Sequence, residues 1–481
     1  MSTFHIQNFG CRATQADAAA IEWQLRSSGC ELARDAQTAA IVVFNTCTVT
    51  AAADLQARQA IAAAAKQNPN ANIIVTGCYA QRAPEDLAGL PGVACVVGNS
   101  HRSEIAGLAR GLGEGARQKS HANGDVVPLS ALALGIRSAQ APSDSREAAG
   151  SLDARAKILT GDIFALDTVT LAPIAGREAG HTRPTLKIQD GCNNRCAYCV
   201  IPFVRGKSRS LPPQQIITEV QRLAAADAQE IVLSGINLGS YGRDLSPRVE
   251  FADLLRRILE ETDLARLRVS SIEPMDVTRE LVELAATNGR LAPHFHMPLQ
   301  SGSDAVLAAM HRWYRAAHYE AHANLIHELL PNAAIGADVI AGFPGESGAD
   351  HRATCDFIAR LPFSYLHVFS FSARPGTGGA QLPDQIAPNE IRRRARELRF
   401  LGEKKRLAFR ARQMGKRIRV LTLETDHEEA AERGWTRAIS GNYLDLRVEG
   451  SWSANCWLDV EVTHSDEARA IAKPCATLPH S

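Results

Sequence analysis

Three things are missing from this 481-residue sequence, and each absence closes off a class of protein. No stretch approaches about 18 uninterrupted apolar residues, so no segment is built to cross a membrane as a helix. The opening Met1-Ser2-Thr3-Phe4-His5-Ile6-Gln7 lacks a basic start followed by an apolar run, which argues against a secretory signal and for an unanchored, cytoplasmic protein. Excess charge of one sign is missing too. With 53 Lys and Arg against 52 Asp and Glu, any surface for nucleic acid must come from local clustering.

The sequence does have length and cysteine. A prior of roughly 150 residues per domain suggests about three domains, and a hydrophobic share of 45% is enough for several cores. Eleven cysteines in a long chain without a secretory signal point to metal ligation or redox chemistry more readily than to a disulfide framework.

The expected architecture is α/β with a β-rich end. Over residues 1–112, short apolar runs such as Phe4-His5-Ile6, Ile41-Val42-Val43-Phe44, Asn72-Ile73-Ile74-Val75 and Val93-Ala94-Cys95-Val96-Val97 alternate with helical stretches, which predicts a small parallel α/β domain. Residues 113–180 are rich in Ala, Ser, Gly and Asp, show weak periodicity and offer no strand set; they read as a linker or insertion of uncertain order. Residues 181–412 hold six strand–helix units that suit a partial (β/α)6 barrel, followed by a long basic helix from about Asn389 to Gln413. Residues 413–475 change to short alternating segments, which predict a small all-β barrel.

Cysteine spacing carries the chemistry. Cys192-Asn193-Asn194-Arg195-Cys196-Ala197-Tyr198-Cys199 follows the first strand of the second α/β region, so a loop at a strand's C-terminal end presents three thiolates. Three ligands on a four-iron four-sulfur cubane leave one iron open to chelate a small molecule with amino and carboxylate groups. A zinc site with a distant fourth ligand competes, although zinc spacing normally pairs ligands at two places and no second C-x2-C is present. Strand-end residues elsewhere, the small or polar Gly235, Glu273, Gln300 and Gly342 together with Ile340, are candidates to approach such a ligand, each with the alternative of an ordinary βα turn.

A second triad is scattered. Cys11, Cys47 and Cys78 each follow one of the first three long strands of the opening domain, and parallel strands bring their C-terminal ends to one edge. Cys30, Cys95, Cys355, Cys456 and Cys475 fit neither pattern and read as buried or incidental thiols.

The first triad resembles that of the radical S-adenosylmethionine (SAM) superfamily, in which Tyr198 would lie near the adenine of the cofactor. Over residues 1–112 and 181–470 the chain is similar to the methylthiotransferase family. The resemblance rests on Cys11, Cys47 and Cys78, the run from Leu186 to Pro202, and Arg205-Gly206-Lys207-Ser208-Arg209-Ser210. Asn45-Thr46-Cys47-Thr48-Val49-Thr50, Arg58-Gln59-Ala60-Ile61 and Val75-Thr76-Gly77-Cys78-Tyr79-Ala80-Gln81 look most like the branch that modifies threonylcarbamoyladenosine (t6A) in transfer RNA. Branches acting on isopentenyladenosine or on a ribosomal-protein side chain are the alternatives. The long segment 113–180 departs from the shorter connection usual among relatives.

The resemblance implies a methylthiotransferase domain, a radical SAM domain and a C-terminal TRAM domain. It implies two four-iron four-sulfur clusters, one on Cys192, Cys196 and Cys199 that reduces SAM to a 5′-deoxyadenosyl radical, and one on Cys11, Cys47 and Cys78 that carries the sulfur. Two SAM molecules would serve each turnover. The implied partners are the anticodon stem-loop of tRNA, an electron donor such as flavodoxin or ferredoxin, and a sulfur source. The basic helix and the strand after it, with Arg392, Arg396, Lys404, Lys405, Lys416 and Arg417, make a stripe suited to phosphates, while Trp435, Tyr443, Trp452 and Trp457 offer stacking surface. A solvated helix face balanced by Glu390, Glu397 and Glu403 is the competing reading.

Overall fold

The structure, a computed structural model, describes residues 2–112, 156–169, 182–424, 434–465 and 469–475. Its first unit is a parallel sheet of β1 (Thr3–Asn8), β2 (Glu31–Leu32), β3 (Ile41–Thr46), β4 (Asn72–Gly77), β5 (Val93–Val97) and β6 (Lys157–Leu159), in the order β2-β1-β3-β4-β5-β6. Strand β3 is a continuous apolar run because both of its faces are covered. Val42 and Phe44 pack with Ala57 and Ile61 of the Ala51–Gln67 helix, and Ile41 and Val43 pack with Ile21 and Leu25 of the Arg12–Ser27 helix. Thr50 starts the former helix by accepting a hydrogen bond from the Ala53 backbone N–H.

Strand β6 corrects the reading of 113–180 as lacking strands. Lys157, Ile158 and Leu159 pair with Cys95, Val96 and Val97. Three half-exposed residues on a sheet edge show no period of their own, so their partner, some 60 residues away, was not legible locally. Residues 113–155 and 170–180, the rest of that expectation, lie outside the described residues.

The second unit is the partial (β/α)6 barrel. Its strands are β7 (Thr185–Lys187), β10 (Glu230–Ser234), β11 (Arg266–Val269), β12 (His294–His296), β13 (Ala334–Ala341) and β14 (Tyr365–Ser370); a two-stranded ribbon of β8 (Gln189–Asp190) and β9 (Arg209–Ser210) follows β7. The sheets β11-β10-β7 and β12-β13-β14 are joined by parallel bridges between Leu267 and Leu291 and between Ser271 and His296. Amphipathic helices such as Pro213–Ala225 and Phe251–Glu261 cover the outside, burying Ile216, Val220, Leu254 and Ile258 in the main core.

The third unit is a closed barrel of β15 (Arg417–Thr422), β16 (Trp435–Ser440), β17 (Asp445–Glu449), β18 (Trp457–Ser465) and β19 (Ala470–Pro474), in the order β15-β16-β17-β19-β18. It docks at the N-terminal ends of the (β/α)6 strands. Buried Arg268 donates to the Ser440 and Gly441 carbonyls at 2.9 and 2.8 Å, and Arg266 donates to the Ile439 carbonyl at 3.1 Å. Fully buried Glu230 pairs with both guanidiniums, which overcome the cost of burial and hold its carboxyl well below the usual range. Tyr443 stacks on His294 with ring centroids 4.3 Å apart, so it is committed to this seam and is not the open stacking surface expected from sequence.

A second polar seam joins the first unit to the barrel. Asp17, on the Arg12–Ser27 helix, accepts from Lys187 at 2.6 Å, Arg102 at 2.7 Å and Arg205 at 2.8 Å, and Asp190 accepts from Lys187 and Arg205 at 2.8 and 3.0 Å. Burial opposes the charge on Asp17, but Arg102, Lys187 and Arg205 outweigh it and hold the pKa at about 2, against 3.8 for a free aspartate. Because the folded value is the lower one, this group's contribution is present above about pH 4 and is lost as pH falls toward 2; it amounts to roughly 2 kcal/mol. Acid titration of intrinsic fluorescence should therefore show a loss of stability in that window, and Asp17→Asn should flatten it while lowering stability at neutral pH by about 3 kcal/mol.

Candidate metal centres and the cavity between them

The loop after β8 carries Cys192, Cys196 and Cys199. Gly191 has φ +73°, and a Cβ there would stand 1.9 Å from the Lys207 carbonyl oxygen, so the residue before the first cysteine must be glycine. Cys192 N–H donates to the Gly206 carbonyl at 3.1 Å, Ala197 N–H to Met310 at 3.0 Å, and Cys199 N–H to Cys196 at 3.0 Å. Arg312 donates through Nη1 to Cys196 Sγ at 3.2 Å and through Nη2 to Glu273. Asn237 Nδ2 lies 4.0 Å from Cys192 Sγ.

In the first unit, Cys11 caps the N-terminus of the Arg12–Ser27 helix, Cys47 follows β3, and Cys78 opens the Cys78–Arg82 helix straight after β4. Gly10, at φ +105°, leaves room for Cys47; a Cβ on it would stand 2.6 Å from Cys47 Cβ and 3.0 Å from Sγ. Asn99 Nδ2 lies 3.6 Å from Cys78 Sγ.

In each triad the sulfurs feel one another. Burial pushes the Cys47 thiol up to about 12, with Cys78 and Cys11 adding to the rise; burial does the same to Cys199, with Cys196 and Cys192 adding. Bare thiols so placed resist ionisation, and a multivalent metal centre is what allows three thiolates to share such a space. Beside the Cys192, Cys196 and Cys199 triad, buried Asn237 Oδ1 and Arg312 Nε have no hydrogen-bond partner among the described residues, which leaves polar capacity for a ligand there. The donor sets fit cysteine-ligated iron–sulfur clusters.

A cavity of about 200 Å³ opens where the Cys199 loop faces the segment just past Cys47. Val49 and Thr50, just past Cys47, form one wall; Tyr198, Cys199 and Val200 form another; Gln300, Asp338, Ile340 and Phe369 line the barrel side. Arg374, beyond β14, ties the barrel to the first unit by pairing with Asp54 and reaching Thr48 Oγ1 at 3.3 Å, and Arg82 of the first unit bonds the same two side chains.

Of the residues expected to meet a cofactor, Tyr198, Gln300 and Ile340 line this cavity. Glu273 is turned to Arg312 instead, with its carboxyl raised by burial although Arg312 counteracts it. Gly235 and Gly342 are absent from the cavity wall: a Cβ on Gly235 would meet Leu238 and Gln189, and one on Gly342 would meet Ile391 at 2.5 Å. Arg392, Arg396, Lys404 and Arg417 are exposed, whereas Lys405 Nζ donates to the carbonyls of Ala359 and Leu361 at 2.6 and 2.7 Å, capping a neighbouring helix, and Lys416 Nζ bonds Asn332 Oδ1 at 2.5 Å. Lys405 is thereby removed from the expected phosphate stripe. Cys30 and Cys95 are buried, Cys355 and Cys475 are half-buried, and Cys456 is exposed. Sequence reasoning gave no role to Arg312, Asn237, Arg205 or Asp17. Arg205 stood in a quoted motif and Asn237 ends the polar strand-end run Ser234-Gly235-Ile236-Asn237; Arg312 and Asp17 carry no local periodic signal.

A family model described as the radical SAM superfamily matches residues 186–358, and one described as uncharacterized protein family UPF0004 matches residues 3–98. The barrel is thus a radical SAM domain. Over 92% of its length the chain is 34% identical to the threonylcarbamoyladenosine tRNA methylthiotransferase MtaB of Aquifex aeolicus, of which it covers 96%. Over 93% of its length it is 32% identical to the tRNA-2-methylthio-N(6)-dimethylallyladenosine synthase of Acidothermus cellulolyticus, of which it covers 82%. The chain belongs to the radical SAM methylthiotransferase family. In fold, it is similar to the radical SAM methyltransferase TsrM of Kitasatospora setae, solved with cobalamin and a [4Fe-4S] cluster, at TM-score 0.55 and 15% identity over 79% of this chain and 77% of that one.

Arg312→Gln should leave Glu273 without its guanidinium and lower stability by about 3 kcal/mol in urea unfolding. Adding Glu273→Gln should recover most of that loss; equal, additive losses would mean that the two side chains are not coupled.

Proposed function

We propose that the chain inserts a methylthio group at C2 of t6A beside the anticodon of tRNA, using one iron–sulfur cluster on Cys192, Cys196 and Cys199 and a second on Cys11, Cys47 and Cys78. One observation carries this reading: a single cavity takes its walls from the loop that bears Cys199 and from Val49 and Thr50, just past Cys47. A target carbon held there is near Cys199 and near the segment that carries Cys47, the kind of proximity that sulfur insertion into an unreactive C–H bond requires. When bound, the clusters and two SAM molecules per turnover supply the radical chemistry and the methylated sulfur, with flavodoxin or ferredoxin as electron donor and a separate sulfur source.

The chain's own residues do the positioning. Tyr198, Gln300 and Ile340 shape the cofactor's side of the cavity, Arg312 links Glu273 to Cys196 of the cluster loop, and the Arg374–Asp54 pair holds the first unit against the barrel. Exposed Arg392, Arg396, Lys404 and Arg417 offer sites for tRNA phosphates, so binding should weaken steeply with salt.

Mass spectrometry of nucleosides from cells with and without the gene tests the assignment. Loss of 2-methylthio-t6A supports it; an unchanged t6A profile with loss of a methylthio-dimethylallyladenosine moves the chain to the sister branch. Cys11→Ala should abolish methylthiolation while 5′-deoxyadenosine is still formed from SAM, and its iron content should fall by about half. A Cys11→Ala enzyme that still made methylthiolated product would refute the division between the two triads.

A further inference from the structure

On the inward face of the radical SAM barrel, one residue pair below Ile340 and Phe369, β13 and β14 place Asp338 beside His367, and β12 brings up His296. Asp338 Oδ1 accepts from His296 Nε2 at 3.0 Å and from His367 Nδ1 at 3.2 Å. Burial works against the charge on Asp338, yet these two imidazoles hold its carboxyl well below the usual range, so it is ionised at neutral pH. His296 is itself held from behind by the Tyr365 hydroxyl at 3.0 Å. Both imidazole bonds fall on Oδ1. No hydrogen bond reaches Oδ2 from the described residues, and Asp338 lines the cavity.

A half-buried carboxylate with an unused oxygen discriminates by what it lacks. An N–H or O–H donor on a ligand satisfies it, whereas a hydrocarbon group in the same place removes water and gives nothing back. Sites of this kind reject the donor-less analogue by large factors, while a purely apolar pocket distinguishes poorly. Asp338 lies two residues, about 6.6 Å of strand, deeper than Ile340, which suits contact with a substituent projecting into the barrel.

We propose that Asp338, positioned by His296 and His367, selects a nucleoside whose N6 substituent carries hydrogen-bond donors, as a carbamoyl-amino-acid arm does, over one whose substituent is a plain hydrocarbon. This inference rests on the reading that the cavity receives the nucleoside. Asp338 touches the arm; His296 and His367 act through Asp338 and are positioning residues.

The test uses the reconstituted holoenzyme and two anticodon stem-loop RNAs, one with t6A and one with N6-dimethylallyladenosine. Methylthiolated nucleoside and 5′-deoxyadenosine are both measured. The unaltered enzyme should favour the t6A RNA by at least about 100-fold in kcat/KM. Asp338→Leu should cut that ratio by tenfold or more, chiefly by losing t6A turnover, and Asp338→Asn and His367→Phe should give intermediate ratios. If Asp338→Leu does not fold, the ratios for Asp338→Asn and His367→Phe decide. Equal loss on both RNAs, or loss of 5′-deoxyadenosine formation in the absence of RNA, would overturn the inference by making the cluster structural or a cofactor contact. A wild-type preference for the dimethylallyl RNA would overturn it while leaving a methylthiotransferase standing; no product from either RNA would bring down the assigned function itself.

Discussion

The two triads work as one site only if two separately folded units are held at a fixed offset, and the buried ionic seam around Asp17 does that. Two carboxylates and three cations, from the first unit's Asp17 and Arg102 and the barrel's Lys187, Asp190 and Arg205, neutralise one another out of water. Such a network contributes little net stability compared with an apolar seam, but it is intolerant of displacement, because any shift strands a buried charge. Arg205 ties this seam to the chemistry: its residue range ends the Ile201–Arg205 helix that follows Cys199, and its charge also acts on Cys78. Registry between the units thus rests on this electrostatic seam together with the packing of Cys78 against Val200 and Val204, and hydrophobic packing provides the bulk of each unit.

Much of this was legible beforehand, for reasons of phase. Cys11, Cys47 and Cys78 each followed an apolar run, and parallel strands make the ends of such runs neighbours, so topology alone brought three distant thiols to one edge. The Cys192 loop was legible from spacing. The (β/α)6 strands and the β-rich end followed from the alternation of elements.

What was not legible depends on side chains that meet across hundreds of residues. Arg374 meets Asp54 and Thr48, Lys187 meets Asp17, and Arg268 meets Ser440, with no local pattern to announce any of them. The same applies to His296, Asp338 and His367, which sit on three neighbouring strands and read singly as ordinary strand residues. Lys405 and Tyr443 fail in the opposite way: composition marked them for a partner, and the fold spends them on a helix end and a domain seam.

The Pro388–Ala411 helix starts beside Gly342, at the open end of the barrel, and sends Phe409 into the core of the third unit at the closed end. Its 24 residues make a rod about 36 Å long. The separation between the reacting end and the terminal barrel is therefore a covalent length, and the helix is a ruler. A molecule small enough to sit wholly in the cavity spans none of that length; one that touches both ends spans all of it. What the rod fixes is therefore a distance between two surfaces, set by backbone geometry and not by side-chain packing.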